Sequence, residues 1–353
     1  MIAGLLDRRS LPLLLWFAML SPAADAAEAM PWQDEGVAHF AGKAVVDACE
    51  RTNPLSPPPQ DQPSEAERAA LKSCSSRDLY YGIGVAKDYA AARKCAFREM
   101  AEGDGAVIGG PAVLMMSYAN GQGAGQDYDL AIKFACAAGG APAEIRGRVE
   151  HVLALQSHAA AGKIDICDDI TSGYMGGFCT AIKSDRAAAQ RSGAVNTRTA
   201  SWPVEHRAAF EALQQAADAY FDAHAAGETD LSGTLRGAFM IKAKDTLTAK
   251  LDAALGDFEK GRSPAYSAAQ FTDADRQLNA VYAATLKKAG TAAPGLTITP
   301  DGIRQTERLW LKYLDAWMRF AGLHYPAVTA DSVKARLTLE RIAVLKGIPV
   351  GSQ

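Results

Sequence analysis

No Cys-x-x-C pair occurs in the 353-residue chain, and none of its six cysteines lies beyond Cys179. Zinc-ribbon and thioredoxin-like chemistry therefore lack their ligand and redox spacing, and the second half must cohere by packing alone. There is no basic surplus either. Lys+Arg number 37 against 40 Asp+Glu, a net charge of −3, so no nucleic-acid partner is expected. Gly-x-Ser-x-Gly, His-Glu-x-x-His and P-loop Lys-Ser/Thr motifs are all missing. Their absence leaves serine-hydrolase, zincin and nucleotide-hydrolysing readings without support. No segment sustains period-two alternation, which excludes half-buried strands and predicts an all-α protein.

Present at the start are Arg8 and Arg9, the apolar run Leu11–Leu20 with only Pro12 inside it, and the small-residue exit Ala24-Asp25-Ala26. Basic, apolar and small segments in that order read as a secretory signal peptide over residues 1–26. The run is too short to span a hydrocarbon core of about 30 Å. The expected mature protein starts near Ala27, is periplasmic or secreted, and has no stable membrane insertion after signal removal. In an oxidising compartment an even cysteine count predicts three disulfides. Cys167–Cys179 is the local candidate, closing a polar, Gly-containing loop.

Residues 27–183 carry an internal repeat. Gly82-Ile83-Gly84-Val85-Ala86-Lys87-Asp88-Tyr89 aligns with Gly121-Gln122-Gly123-Ala124-Gly125-Gln126-Asp127-Tyr128, and the same offset matches Ala92 with Ala131 and Lys94 with Lys133. A period near forty with Gly-x-Gly in the turn predicts stacked helical hairpins. Neither copy completes Gly-x-Gly-x-x-Gly after a strand, so a phosphate loop is not indicated. The repeats resemble Sel-one-like repeats, relatives of the tetratricopeptide family. Gly82, Gly84, Asp88 and Ala92 carry the resemblance in the first copy, and Gly121, Gly123, Asp127 and Ala131 in the second. Ala124 stands where that family usually has Val. In such a hairpin Cys74 and Cys95 lie level across the Gly82–Lys87 turn, leaving Cys49 to pair with Cys136. Cys49–Cys74 with Cys95–Cys136 remains the alternative, joining neighbouring layers.

The polar stretch 184–201 reads as a linker. Beyond it, residues 202–353 show helical periodicity throughout, which suggests an antiparallel helical bundle. Phe210, Leu213, Ala217, Tyr220 and His224 form one stripe. Leu247, Leu251, Leu255 and Phe258 form another, on a helix beginning near Ser232 and ending at Gly261. A third helix is expected from a Thr272 cap to Gly290. A fourth starts at Thr299-Pro300 and stops at Gly322, and a last one uses Ala335, Leu339, Ile342 and Leu345.

About residues 204–347 resemble the LprI-type lysozyme-inhibitor domain. Three ordered segments carry this: Ala274-Asp275-Arg276-Gln277-Leu278-Asn279-Ala280-Val281-Tyr282, Gln305 through Trp310 to Asp315, and Thr338-Leu339-Glu340-Arg341 through Leu345. Two departures stand out: Leu314 replaces the family's usual Arg before Asp315, and the cysteines common in its helices are missing. The resemblance implies a protein partner, a lysozyme-type muramidase whose acidic cleft would be occluded, and no catalysis.

Asp275, Asn279, Arg308, Asp315 and Arg341 are expected to form a polar network that fixes helix register, and Trp310, Tyr313 and Trp317 to pack in the core. His224, Glu228 and Asp230 complete no metal ligand set and read as a solvated helix end. Asp168-Asp169 reads as a solvated loop. No cofactor is expected. The leading expectation is thus an exported, non-enzymatic binding protein of a bacterial envelope, a short hairpin-repeat module joined to the LprI-like bundle. A repeat scaffold recruiting an envelope partner and a cell-wall-active enzyme are the alternatives.

Overall fold

A computed structural model describes residues 30–103, 108–291 and 295–350, so the expected signal peptide lies outside the described residues. Among them the chain is all-α, without a strand. The first part runs α1 (Glu35–Ala41), α2 (Lys43–Thr52), α3 (Glu65–Ala70), α4 (Ser76–Tyr81), α5 (Tyr89–Ala101), α6 (Gly110–Asn120), α7 (Tyr128–Ala137) and α8 (Pro142–Gln156). Then come α9 (Gly173–Thr199), α10 (Val204–Gly227), α11 (Arg236–Glu259), α12 (Ala268–Gly290), α13 (Pro300–His324) and α14 (Ala330–Lys346).

The α4–α5 and α6–α7 hairpins are built alike. Each first helix ends on a left-handed glycine, Gly82 or Gly121. Each second helix is capped by an aspartate, Asp88 accepting from the Ala91 amide at 2.9 Å and Asp127 from the Leu130 amide at 3.0 Å. The two aspartate amides donate back to Leu79 and Tyr118 carbonyls, both at 3.0 Å. Ala92 and Ala131 are fully buried where the paired helices meet.

The second turn packs on the start of α5. The Gly123 carbonyl accepts a hydrogen bond from Arg93, and a β-carbon on Gly123 would collide with the Tyr89 carbonyl. At Gly84 the equivalent position opens onto free space. Both glycines have φ in the left-handed region, at 79° and 69°. Gly84→Ala is therefore expected to cost only the left-handed penalty of about 1–2 kcal/mol, and Gly123→Ala clearly more. Urea denaturation of the two variants gives the comparison, and equal losses would rule out the stacking contact as the cause.

Cys49–Cys136 ties α2 to α7, Cys74–Cys95 ties the approach of α4 to α5, and Cys167–Cys179 ties the loop after α8 to α9. The layer-joining alternative is not formed. Leu114, Met115, Met116, Ile132 and Phe134 centre this first core, with Tyr118 stacked on Phe134 at 5.8 Å.

The stretch 184–201, expected to connect the halves, is helical: nearly all of it lies inside α9. Helix there does not depend on an apolar stripe, because Ala187, Ala188 and Ala189 supply propensity and polar contacts to α11 hold the helix in place. Ser184 donates to Asp245 at 2.8 Å, and Arg198 lies 3.3 Å from Glu259. Met175 and Ile182 at the start of α9 belong to the first core, whereas Val195 packs on the second. One helix serves both.

In the second core α10 lies along α13 and α12 along α14. Trp310, Tyr313 and Trp317 are buried in it as the spacing predicts, with Phe320 beside them. Several boundaries move. α11 starts at Arg236, and α12 starts at Ala268 because Ser267 and Gln270 form a reciprocal capping box. Thr272 donates instead to the Ala268 carbonyl. Thr299 does cap α13, accepting from the Gly302 amide at 3.1 Å, but α13 continues past Gly322 to His324.

Candidate binding face and its buried ion cluster

Helices α10 and α13 approach closely at Gly227 and Gly302, where a β-carbon on either would lie 3.1 Å from the other's Cα. That approach sets Glu228 beside Glu307, and α14 lays Arg341 over both. Arg341, 1% exposed, grips Glu228 with two parallel bonds of 2.6 and 2.8 Å and donates through Nε to Glu307 at 2.9 Å. His224 Nδ1 lies 2.8 Å from the same Glu228 carboxylate, and the guanidinium sits over the Tyr220 ring.

These groups shift one another. Burial alone would raise the Glu228 carboxyl, yet the hydrogen bonds from Arg341 and His224 outweigh it and hold it below its ordinary value. Glu307 goes the other way: burial pushes it above the ordinary range despite Arg341. The arrangement has the geometry of a register lock.

The expected solvated helix end is thus overturned for Glu228, which is 2% exposed. Its partner lies 113 residues away, beyond any local reading. Asp230 does stay near the surface, bracing the following loop by accepting from Ser232 and Thr297. Asp169 is half-buried and lies 2.9 Å from His151 Nδ1, so it is no free loop carboxylate, whereas Asp168 is exposed.

The signature residues separate into two groups. Leu278, Trp310 and Arg341 are buried. Tyr282 is half-buried, its hydroxyl pushed up by burial and by Glu307. Asp275, Asn279, Arg308 and Asp315 are exposed, contrary to a single shape-holding network. Asn279 bonds back to Asp275 at 3.0 Å, and Arg308 to Gln305 at 2.6 Å. The reason is which face α12 buries: it packs on α14 and buries Ala274, Leu278 and Thr285, which leaves Asp275 and Asn279 outward. Leu314, at the family's arginine position, packs partly buried against the second core.

The exposed side of α13 was not singled out by motif reading, although its spacing was readable. Arg304, Arg308 and Lys312 follow at four-residue steps, and Leu311, Asp315, Arg319 and Leu323 continue the same exposed face. Asp301 neutralises Arg304 at 2.6 Å. The face keeps Arg308, Lys312 and Arg319 against Asp315, a basic stripe with two leucines in it.

Elsewhere, Asp88 and Asp127 are occupied as caps, and the repeat glycines shape turns. A cleft of about 660 Å³ opens between α9, α10 and α11, with Asp185, Arg191, Asp245 and Asp252 around a floor that includes Phe210 and Phe221. Burial raises the Asp252 carboxyl there. Among the described residues no cluster of three or more His, Cys, Asp or Glu is arranged to hold a metal, and no helix is long and apolar enough to cross a membrane.

Residues 262–345, which span α12, α13 and nearly all of α14, match the family model described as Lysozyme inhibitor LprI. The match is shorter than the 204–347 expected and leaves α10 and α11 outside it. No curated protein and no solved structure matches the chain.

Proposed function

We propose that this is an exported binding protein whose α12–α14 segment docks on a lysozyme-type muramidase and occludes its cleft, without catalysis of its own. The carrying observation is that the lysozyme-inhibitor match coincides with the basic face of α13. Glycoside hydrolases of this kind place two carboxylates at the scissile bond, so their clefts favour a cationic, partly apolar visitor. Arg308, Lys312 and Arg319 supply the charge and Leu311 and Leu323 the apolar contact. Complementary charge also steers encounter and rejects wrong partners. The buried Arg341 cluster keeps α13 and α14 in register behind that face. Three disulfides support an oxidising compartment, periplasmic or secreted. The paired hairpins, with their Sel-one-like turns, would serve as a rigid platform beside the docking unit.

Mature protein at micromolar excess is expected to slow lysis of cell-wall suspensions by a lysozyme-type muramidase. Arg308→Glu with Lys312→Glu should weaken inhibition by about tenfold or more while leaving the melting temperature in place, since both side chains are exposed. Unchanged lysis with the wild-type protein would reject this function. Full inhibition by the double variant would move the contact off α13.

A further inference from the structure

Ser184, Ala188, Ser192 and Val195 recur at helical spacing along one face of α9, and all four line the cleft between α9, α10 and α11. A core-facing helix would carry long apolar side chains there. Three of these are among the shortest available, so α9 closes one side of the cleft without filling it. Its volume of about 660 Å³ falls within the range of small-molecule sites, about 300–1,000 Å³. Phe210 and Phe221 of α10 and Leu251 and Leu255 of α11 supply the apolar floor.

The charges around that floor are unevenly paired. Lys244 is taken by Asp222 at 2.7 Å. Asp245 accepts from Ser184 at 2.8 Å and lies 3.9 Å from Arg191, and Asp185 lies 3.7 Å from Arg77. Asp218 on α10 and Asp252 on α11 have neither a hydrogen bond nor an ion pair among the described residues. Asp252 is half-buried, and Arg191 and Arg198 act on it only from a distance. An unpartnered carboxylate beside an apolar wall is costly, and burial raises this one accordingly. We propose that the cleft binds a small amphipathic cation, with its ammonium at Asp252 and Asp218 and its apolar body on Phe210, Phe221 and Leu255. The cation would supply the one interaction the cleft lacks, and the same carboxylates repel anions of equal size. All of the lining lies before residue 262, so the site stands apart from the lysozyme-inhibitor match and from the function proposed for it.

Dansylcadaverine, a fluorescent aromatic sulfonamide with a terminal ammonium, titrated into the mature full chain at neutral pH tests this. Its emission should strengthen, shift to the blue and saturate at one equivalent. Dansylglycine, the same fluorophore bearing a carboxylate, should bind at least about tenfold more weakly. Asp252→Asn should weaken dansylcadaverine at least about tenfold, the effect of losing a charge-assisted bond, and Asp218→Asn by less, because Asp218 is exposed. Ala188→Trp, placed at an exposed position on the cleft wall, should fill the space and abolish saturation. Asp252→Asn removes a carboxylate that burial penalises, so its melting temperature should hold or rise, and its weaker binding then reports on the cleft and not on unfolding. Equal binding of dansylglycine, absence of saturation, or wild-type affinity in either Asp252→Asn or Ala188→Trp would each overturn the site. The probe pair and Asp252→Asn decide the matter even if Ala188→Trp fails to fold.

Discussion

Replacing Arg341 with methionine is expected to lower the unfolding free energy of the C-terminal half by about 3–5 kcal/mol. The loss comes less from the missing attraction than from what remains. Glu228, 2% exposed, would keep a carboxylate in the core with only His224 beside it, and Glu307 would lose its guanidinium. Adding Glu228→Gln and Glu307→Gln should recover part of the loss by removing the orphaned charges. Urea titrations of the three proteins, compared at constant slope, give the measurement. A change below about 1 kcal/mol for Arg341→Met would mean that water reaches Glu228, and the register-lock reading would then be abandoned.

The same cluster fixes the sign of a pH effect. Glu228 has a folded pKa below its ordinary 4.5, so its stabilisation is present above that value and fades as pH falls through the folded pKa. Glu307 has a raised pKa and acts oppositely: its contribution is full below 4.5 and is lost as pH rises through the folded value. Acid unfolding of the wild type should therefore carry a Glu228 component that Arg341→Met removes, so the variant's stability falls less steeply on the acid side.

Much of the fold is legible because its determinants are local. Thr299-Pro300 announces a helix start by chemistry confined to a few residues, and Asp88 and Asp127 repeat the same cap at the same offset. Trp310, Tyr313 and Trp317 reveal a buried face by spacing alone. Local signals also misled. Polar residues around Arg191 and Asn196 do not announce a helix until α11 is known to lie alongside. Glu228 resembles a solvated helix end until α14 brings Arg341 over it. Asp275 and Asn279 share a signature with Leu278, but a signature does not say which of its positions faces α14. The candidate docking face was the reverse case, present in the Arg304, Arg308, Lys312 spacing yet unremarked because no motif covers it.

Removing the Cys49–Cys136 bridge by paired alanine substitution should destabilise the N-terminal half by about 4–5 kcal/mol, the chain-entropy value for a loop of this length. The bridge closes a separation of 87 residues, against 21 for Cys74–Cys95 and 12 for Cys167–Cys179, so its loss should be the largest of the three. Little else could compensate. The Arg51–Asp129 pair between the same helices is exposed on both sides and contributes at most about 1 kcal/mol. What remains is a Lys133 bond to the Asn53 carbonyl and the packing of Val45 and Ala48. Calorimetry of the variant should show a low-temperature transition moved down and a second one unmoved, because no cysteine lies beyond Cys179 and the bridge sits on α2 and α7, away from α9. Among the described residues only α9 contributes to both cores, so a joint shift of the two transitions would mean that this helix transmits stability between the halves. Two independently melting units would then give way to one cooperative body, and the docking segment's stability would depend on a disulfide more than a hundred residues before it.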